Sequence, residues 1–206
     1  MIKLVLDSST DYYYIALLND LDILSERYEY SKQSSSETLM VDLENMLKES
    51  SKSLKDVEEI YVGIGPGSYT GIRVAVTIAK MLTVLSSATL YSFSTLSLIA
   101  SSSLCESYPL IDARRGNAYI SHFTIDMDKL IRLEEDKVVS IEEYFKDKEN
   151  DKVLIVENGK PNITLLLNSN LLTRVEDVDS LTPNYLQLVE AERKRRGLEW
   201  EFKNLT

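Results

Sequence analysis

Three short runs of apolar and β-branched residues occupy the first thirty positions of the chain. They cover Ile2–Leu6, Tyr12–Leu18 and Leu24–Tyr30. Polar residues separate the runs at Ser8–Asp11 and Asn19–Asp22, and each break is short enough for a tight turn. This pattern predicts an antiparallel meander of three strands.

The spacing of apolar residues becomes helical after the meander. The residues Ser34-Ser35-Ser36-Glu37 match a capping box, in which a serine hydroxyl accepts from an amide of the first turn and a glutamate reaches back to the cap. Apolar residues then recur at helical intervals, so we predict a helix over about Ser36–Ser50. These apolar residues are Leu39, Met40, Leu43, Met46 and Leu47.

Strands and helices alternate through the rest of the first half. We predict a strand at Glu59–Gly63, a long apolar helix at about Tyr69–Ser86, a strand at Leu90–Phe93 and a short helix near Thr95–Ser102. A meander followed by α/β crossovers is the element order of a ribonuclease-H-like lobe. Residues 1–104 are therefore expected to form such a lobe.

The second half, residues 105–206, is more charged, and its pattern indicates a smaller second lobe that resembles a reduced copy of the first. Its first two predicted strands flank a turn at Ala113–Gly116. The predicted elements are strands at Pro109–Asp112, Asn117–Ile125, Leu130–Leu133 and Lys152–Val156, a short helix at Ile141–Lys146 and a terminal helix at about Asn184–Arg196.

A glycine-rich turn joins the strand at Glu59–Gly63 to the long helix. Glycines allow positive φ and a close approach of the backbone, and amides at a helix start favour an anion. The turn is therefore either a loop that contacts a phosphate or a partner, or a plain strand-to-helix turn capped by Ser68. The candidate binding residues are Gly65, Pro66, Gly67, Ser68, Tyr69, Thr70, Gly71 and Arg73.

Generic phosphate motifs fit this turn poorly. A P-loop ends in Gly-Lys-Ser/Thr, whereas the turn ends in Thr70-Gly71-Ile72. A dinucleotide-binding fingerprint requires glycine where the chain has Thr70. The turn therefore does not match the phosphate loop of either common class of nucleotide-binding protein.

The long helix is apolar over a wide arc. Arg73, Thr77 and Lys80 form a narrow polar stripe when residues are placed at about 100° intervals. The apolar residues span roughly 220°, wider than the arc of about 100° that one buried face requires. Either the helix is central within its lobe, or one face meets another protein. The two apolar sides are Ile72, Ala75, Val76, Ala79 and Leu82 on one, and Val74, Ile78, Met81 and Leu85 on the other.

Composition narrows the choice of partners and sites. The net charge is −10, with 33 acidic and 23 basic residues, whereas direct nucleic-acid binders rely on Lys and Arg to neutralise phosphates. A docking surface for a more basic protein is the more natural expectation. The chain has a single cysteine, Cys105, so it cannot form an internal disulfide, and this fits the reducing cytoplasm. It also has a single histidine, His122, which excludes a paired-histidine metal site. No apolar run is expected to cross a membrane.

The glycine-rich turn, Gly65-Pro66-Gly67-Ser68-Tyr69-Thr70-Gly71-Ile72-Arg73, resembles the signature of the TsaB (YeaZ) family, whose members act in attaching threonylcarbamoyl to adenosine in tRNA. Weaker motifs follow in the family's order over almost the whole chain. They are Leu4–Thr10 in the opening strand, Ser36–Leu39 at the first helix, Asp112–Tyr119 in the second-lobe hairpin and Pro183–Leu186 near the end.

The resemblance implies an actin/Hsp70-like (ribonuclease-H-like) α/β fold with two small lobes, and a role as a non-catalytic subunit. The partners that it implies are a TsaD-like protein, which carries the ATP and the metal, and a TsaE-like ATPase. The chain itself is then expected to hold no cofactor and to contact tRNA only indirectly. Pairing, with TsaD or with a second copy as a homodimer, is implied to run through the first two helices. The candidate interface residues are Glu37, Met40, Val74, Ile78, Met81 and Leu85.

Independent enzymes are the alternatives: a phosphotransferase or a peptidase of the same fold, or a ribonuclease-H-like nuclease. Kinases of this fold carry Asp-x-Gly-x-Thr, whereas this chain has Asp7-Ser8-Ser9-Thr10-Asp11, and it has no convincing Ser-His-Asp set. A two-metal nuclease needs several clustered carboxylates, for which Asp7 and Asp112 are the candidates. A turn role is the favoured interpretation of Asp7.

Three further features, namely His122, Cys105 and the basic cluster Arg193–Arg196, receive structural interpretations, and a fourth departs from the family pattern. Ser35-Ser36 stands where the TsaB family usually has His-Ser. His122 lies within a predicted strand without a partner motif, and Cys105 has no base beside it in sequence. Arg193–Arg196 is the one basic cluster, and a solvated helix end is preferred to a contact with tRNA, because cations suit a helix C-terminus.

Overall fold

The first half of the chain follows the predicted order of three strands, helix, strand, helix, strand and helix. The computed structural model describes residues 1–30, 36–146 and 154–186. Some boundaries extend beyond the predicted ones, such as β3 and β4 at their N-terminal ends. The elements are β1 (Ile2–Asp7), β2 (Tyr12–Asn19), β3 (Asp22–Tyr30), α1 (Ser36–Glu49), a 3-10 turn (Leu54–Asp56), β4 (Val57–Gly63), α2 (Tyr69–Ser86), β5 (Thr89–Phe93) and α3 (Thr95–Ala100).

The second half contains two elements that the sequence pattern did not predict, namely α5 and β10. The predicted strand at Lys152–Val156 is described only in part, and the predicted terminal helix is not helical at residues 184–186, while residues 187–196 lie outside the described residues. The elements are β6 (Tyr108–Asp112), β7 (Asn117–Asp126), β8 (Lys129–Ser140), α4 (Ile141–Phe145), β9 (Ile155–Val156), α5 (Ile163–Leu167) and β10 (Thr173–Arg174).

Two sheets organise these elements. The first has the strand order β10-β5-β4-β1-β2-β3, and the second has the order β8-β7-β6-β9. The predicted meander is confirmed, since β1 pairs antiparallel with β2 and β2 with β3. β1 pairs parallel with β4, and β4 with β5, as α/β crossovers require.

The last strand returns to the first sheet. β10 pairs antiparallel with β5, through Thr173 opposite Ser92 and Arg174 opposite Tyr91. The chain that follows packs Val175, Val178 and Leu181 against the core beneath α2. This return segment therefore packs with the first sheet and its core, although it follows the boundary after residue 104 that the sequence predicted.

The first sheet has a core on each face. Alternate residues of β1 point to opposite faces, so Leu4 joins the core under α1 and α2, while Val5 joins the core under α3 and the second lobe. Both side chains are fully buried. Burial on both faces explains the continuous apolar run of this strand.

α2 is a core helix of the first lobe. Seven of its residues are buried, and it packs on β1, β4 and β5. Its 18 residues have a mean hydropathy of 1.2, so by length and composition it is the one described helix that would suit a membrane span. Because α2 packs against the first sheet, its apolar residues are explained by the protein core and do not require a membrane.

Candidate functional site: the glycine-rich loop, the interlobe cleft and the outer face of α2

The glycine-rich loop leads from the buried end of β4 into the first turn of α2. Ser68 caps the helix as predicted: its hydroxyl accepts from the amide of Gly71 at 3.3 Å, and its carbonyl oxygen accepts from the amide of Ile72 at 2.9 Å. The loop is also tied to the start of α3, since the amide of Thr95 donates to the carbonyl of Gly65 at 2.8 Å.

The glycines of the loop allow close packing against the turn between β1 and β2. A Cβ on Gly67 would lie 2.0 Å from the carbonyl oxygen of Ser9, and one on Gly71 would lie 1.9 Å from that of Ser8. At this contact the amide of Ser68 donates to the carbonyl of Ser9 at 2.6 Å, and the Ser8 hydroxyl donates to the carbonyl of Gly71 at 2.8 Å. Glycine is therefore required at both positions by the chain's own packing.

Asp7 lies at the base of this contact, and both of its carboxylate oxygens are occupied. Oδ1 accepts from the amide of Ser9 and Oδ2 from the hydroxyl of Thr95, each at 2.7 Å. Gly63 packs directly against the carboxylate. Burial raises the pKa of the Asp7 carboxyl above its usual value, while the hydrogen bonds from Ser9 and Thr95 oppose the rise. The geometry agrees with the turn role favoured from the sequence.

Asp112 has a different environment from Asp7. It is exposed at the end of β6, where its carboxylate accepts from the amide of Arg114 at 2.7 Å. Within the described part of the chain, no three His, Cys, Asp or Glu side chains lie together in a group that would hold a metal ion.

A cleft of about 850 Å³ separates the glycine-rich loop from the hairpin of the second lobe. Of the predicted loop residues, Pro66, Gly67, Ser68, Tyr69 and Thr70 line it. Gly65, Gly71 and Arg73 do not. The opposite side is mostly polar and comprises Asp112, Ala113, Arg114, Arg115, Asn117, Tyr119, Glu157 and Asn158.

The hairpin contributes two cleft residues that belong to the predicted turn and to the family motif but were not among the candidate binding residues. Arg114 and Arg115 have φ values of 68° and 55°, and Gly116 follows with 77°. Positive φ is uncommon for arginine, and here it is imposed by the tight reversal between β6 and β7.

A second concavity lies on the outer face of α2 and is called here the α2 groove. It has a volume of about 440 Å³ and is lined by Tyr69, Thr70, Arg73, Val74, Thr77 and Ile78. An aromatic stack forms one end: the Tyr69 ring lies 5.0 Å from the Tyr185 ring. The guanidinium carbon of Arg73 lies 5.1 Å from the Tyr69 ring centroid, and the Arg73 side chain donates to the Tyr69 hydroxyl at 2.6 Å.

Beyond the groove, α2 carries three exposed apolar side chains, called here the α2 apolar patch. They are Met81, Val84 and Leu85, with 43%, 72% and 62% of their surface exposed. Val84 is the most exposed of the three, although helical spacing did not place it among the predicted interface residues. Ile78, predicted to lie on the same outward side, lines the α2 groove but is only 6% exposed and packs in the core, so it offers little surface to a partner.

The other candidate interface residues divide between surface and core. Glu37 is exposed on the first turn of α1. Met40 and Val74 are half-buried and pack against the core that α1 and α2 share. Two of the four apolar residues assigned to the outer side of α2, Met81 and Leu85, are thus freely available to a partner in the isolated chain.

His122 and Cys105 lie away from these surfaces. The His122 ring stacks on Tyr108 with the centroids 4.1 Å apart, and its Nε2 lies 2.7 Å from a carboxylate oxygen of Glu106. This packing accords with the structural role expected for His122. Cys105 is exposed. The basic cluster Arg193–Arg196 lies outside the described residues.

Comparison with known proteins establishes the family. Residues 24–189, well over half of the chain, match the family model described as TsaD, tRNA N6-adenosine threonylcarbamoyltransferase. This chain belongs to the TsaD family. Within it, TsaB proteins are similar along the chain, which confirms the TsaB (YeaZ) resemblance. TsaB of Bacillus subtilis is 27% identical over 94% of this chain and 97% of its own length. TsaB of Escherichia coli is 27% identical over 66% of this chain and 61% of its own length.

Solved structures of the TsaB (YeaZ) group share the fold. YeaZ from Pseudomonas aeruginosa superposes with a TM-score of 0.75 at 18% identity, covering 90% of this chain and 99% of that one. A crystal structure from the same organism, described as an uncharacterized protein with similarity to peptidase YeaZ, gives the same TM-score at 20% identity and the same coverage. The predicted actin/Hsp70-like α/β fold is confirmed.

Proposed function

We propose that this chain is a non-catalytic subunit in the formation of threonylcarbamoyladenosine in tRNA, and that it acts in the cytoplasm by pairing with a TsaD-like protein. The observation that carries the proposal is the similarity to TsaB of Bacillus subtilis, named a tRNA threonylcarbamoyladenosine biosynthesis protein, along 94% of this chain and 97% of that one. A match along both whole chains leaves no domain of that relative without a counterpart here.

The polar groups of Asp7 and of the glycine-rich loop form hydrogen bonds within the chain, which supports a non-catalytic role. Both oxygens of Asp7 accept from the chain's own donors, and the amide of Ser68 donates to Ser9. A catalytic carboxylate or a phosphate loop needs such groups directed at a ligand instead. This favours the subunit over the phosphotransferase. In this proposal the TsaD-like partner holds the ATP and the metal, and a TsaE-like ATPase completes the complex.

The α2 apolar patch supports a pairing surface on this face of the first lobe. Large apolar side chains grouped on one exposed helix are typical of protein contacts. α1 lies on the same face of the sheet, so α1 and α2 together would pack against a matching helix pair of the partner or of a second copy. Contact with tRNA is assigned to the partner, because the chain has a net charge of −10.

Met81→Lys tests the pairing surface. The side chain is 43% exposed, so the variant should fold normally. We expect pairing to weaken by about tenfold or more, because the complex would bury a lysine charge in an apolar contact. Size-exclusion chromatography with light scattering, on the chain alone and mixed with a TsaD-like protein from the same cells, measures the pairing. Threonylcarbamoyladenosine formation in the reconstituted mixture should fall in parallel.

Met127→Lys is the matched control. Met127 is 89% exposed in the turn between β7 and β8, in the second lobe. This variant should pair and support product formation like the natural chain. If Met81→Lys is folded and still pairs normally, the surface lies elsewhere. ATP turnover by the purified chain alone that is lost in Asp7→Asn would contradict the non-catalytic role.

A further inference from the structure

A buried carboxyl of the second lobe contacts the start of α3. β7 has one residue, Ser121, between Ile120 and His122, whereas the paired stretch of β8 has two, Glu135 and Asp136. This is a β-bulge, which changes the direction of side chains on the longer strand. Glu135 has 86% of its side chain exposed, but Asp136 has only 7%. The bulge thereby directs Asp136 into the contact between the lobes.

A hydrogen bond joins Asp136 to the first lobe. The hydroxyl of Ser94 donates to Oδ2 of Asp136 at 2.5 Å, and the same hydroxyl caps α3. The next residue, Thr95, donates from its amide to the carbonyl of Gly65 and from its hydroxyl to Asp7. Asp136 therefore contacts the point from which the glycine-rich loop and the Asp7 carboxyl are held.

The second carboxylate oxygen of Asp136 lacks such a donor. Oδ1 makes no hydrogen bond within the described part of the chain, and Nη2 of Arg132 lies 3.8 Å from it. An ionised carboxylate at this position is buried with an incomplete set of donors, which disfavours the charge. Burial accordingly raises the pKa of the Asp136 carboxyl above its usual value. Ser94, Arg132 and Ser121 oppose this rise.

The remaining charged groups nearby act on Asp136 weakly or contact another residue. Glu135 adds to the rise in the pKa of Asp136, but less than burial does. His122 of β7 and Tyr144 of α4 lie against Glu134, at 4.0 Å and 2.8 Å. α3 and α5, which also pack on β8, have no titratable side chain. Burial at the contact between the lobes is therefore the main influence on the titration of Asp136.

We propose that Asp136 is a proton-sensitive latch between the two lobes, closed when its carboxyl is protonated and released when the carboxyl ionises. The raised pKa belongs to the closed arrangement. The stability that it gives this arrangement is fully present below the pKa of the open arrangement and is lost as pH rises through the pKa of the closed one. Release frees the start of α3, which holds the glycine-rich loop. The latch goes beyond the proposed function and requires no partner.

Spin labels on opposite sides of the cleft measure the latch. Asp11 and Asn158 are exposed and line the cleft from the first and the second half of the chain. Asp11→Cys and Asn158→Cys, combined with Cys105→Ser, carry the labels in the full chain, and pulsed electron paramagnetic resonance gives their separation. Between about pH 4 and 8, the ratio of short to long distances should fall by about tenfold for each unit by which closing raises the pKa of Asp136.

Asp136→Asn and Glu135→Gln are the matched variants, because they replace adjacent carboxyls of the same bulge. Asp136→Asn keeps a neutral side chain of the same shape, so its label distances should stay short at every pH. Glu135→Gln should still respond to pH, with the midpoint shifted to lower pH because Glu135 raises the pKa of Asp136. Circular dichroism should show both variants folded.

NMR of the Asp136 carboxyl carbon in the labelled chain gives the midpoint of its titration without any variant at this position. Three results would overturn the latch. The label distances do not change through that midpoint, they change at a different pH, or the change survives in Asp136→Asn and so belongs to another carboxyl, such as Asp7. Each measurement uses the chain without a partner, so the latch and the pairing function can fail separately.

Discussion

At the residue scale, Gly67 is held by two constraints that the Gly67→Ala variant would violate together. Its φ is 151°, and a Cβ would lie 2.0 Å from the carbonyl oxygen of Ser9. The neighbour is backbone that also accepts from the amide of Ser68, so it has little freedom to move. We expect Gly67→Ala to lower the free energy of unfolding by about 2–3 kcal/mol, measured by urea denaturation.

Gly116→Ala separates the steric effect from backbone strain. Gly116 also has positive φ, 77°, but a Cβ there would meet nothing within 4 Å. Its variant should therefore cost only the strain of a left-handed alanine, about 1 kcal/mol. Equal losses in the two variants would contradict the packing role assigned to Gly67.

The buried carboxyl of Asp7 gives a pH-dependent prediction. Burial raises its pKa in the folded state above the ordinary value near 3.8. Folding then favours the protonated form, so the stability from this group is fully present below the unfolded pKa and is lost as pH rises through the folded pKa. We therefore expect the free energy of unfolding of Asp7→Asn, measured by urea denaturation, to rise relative to that of the natural chain as pH increases above about 4. A difference that is constant with pH would show that Asp7 does not titrate with a raised pKa.

Two residues of α2 show what sequence spacing can and cannot predict at this scale. The capping role of Ser68 follows from local hydrogen bonding alone and is confirmed. Helical spacing places Ile78 on the outer side and leaves Val84 out of both apolar sides, yet Ile78 is 6% exposed and Val84 is 72% exposed. Spacing assigns residues to sides of a helix, but which side is covered depends on chain segments that are distant in sequence.

At the scale of elements, strands with strong apolar patterns were predicted well and others were not. β8 extends over Lys129–Ser140, far beyond the predicted Leu130–Leu133, because pairing with β7 satisfies its backbone although much of it is charged. β10 has two residues, both exposed, and it exists only because β5 offers an edge. Such elements depend on a partner strand and leave little periodicity to detect.

The two-sided burial of α2 leads to a prediction about the helix as a unit. Ile78→Glu should lower the free energy of unfolding by about 3 kcal/mol or more, because the charge would enter the core beneath the helix. Met81→Lys, one turn further, should change it little because Met81 is 43% exposed. Circular dichroism during urea denaturation compares the two. A stable Ile78→Glu variant would mean that the helix does not pack in its lobe as described.

At the scale of the whole molecule, the sequence predicted two lobes but not how the chain returns between them. β10 extends the first sheet, and Lys80 on α2 donates to the carbonyl of Asp179 at 2.9 Å. The return segment thereby covers part of the wide apolar arc of α2. Among the described residues, the α2 groove and the α2 apolar patch are what this segment leaves uncovered, so the surface that they offer to other chains is narrower than the arc alone suggested.

The charge of the whole molecule determines how it should behave towards tRNA. With a net charge of −10, the chain lacks the excess of Lys and Arg that releases counterions from phosphates, so isolated chains should bind tRNA weakly and only at low salt. Filter binding at about 50 and 200 mM salt measures this, and affinity should be undetectable at the higher concentration. Replacing Arg193–Arg196 with glutamine should remove the residual low-salt binding, because this is the densest basic cluster in the sequence. Tight binding at physiological salt would instead require a basic surface on this chain and would assign tRNA contact to it rather than to its partner.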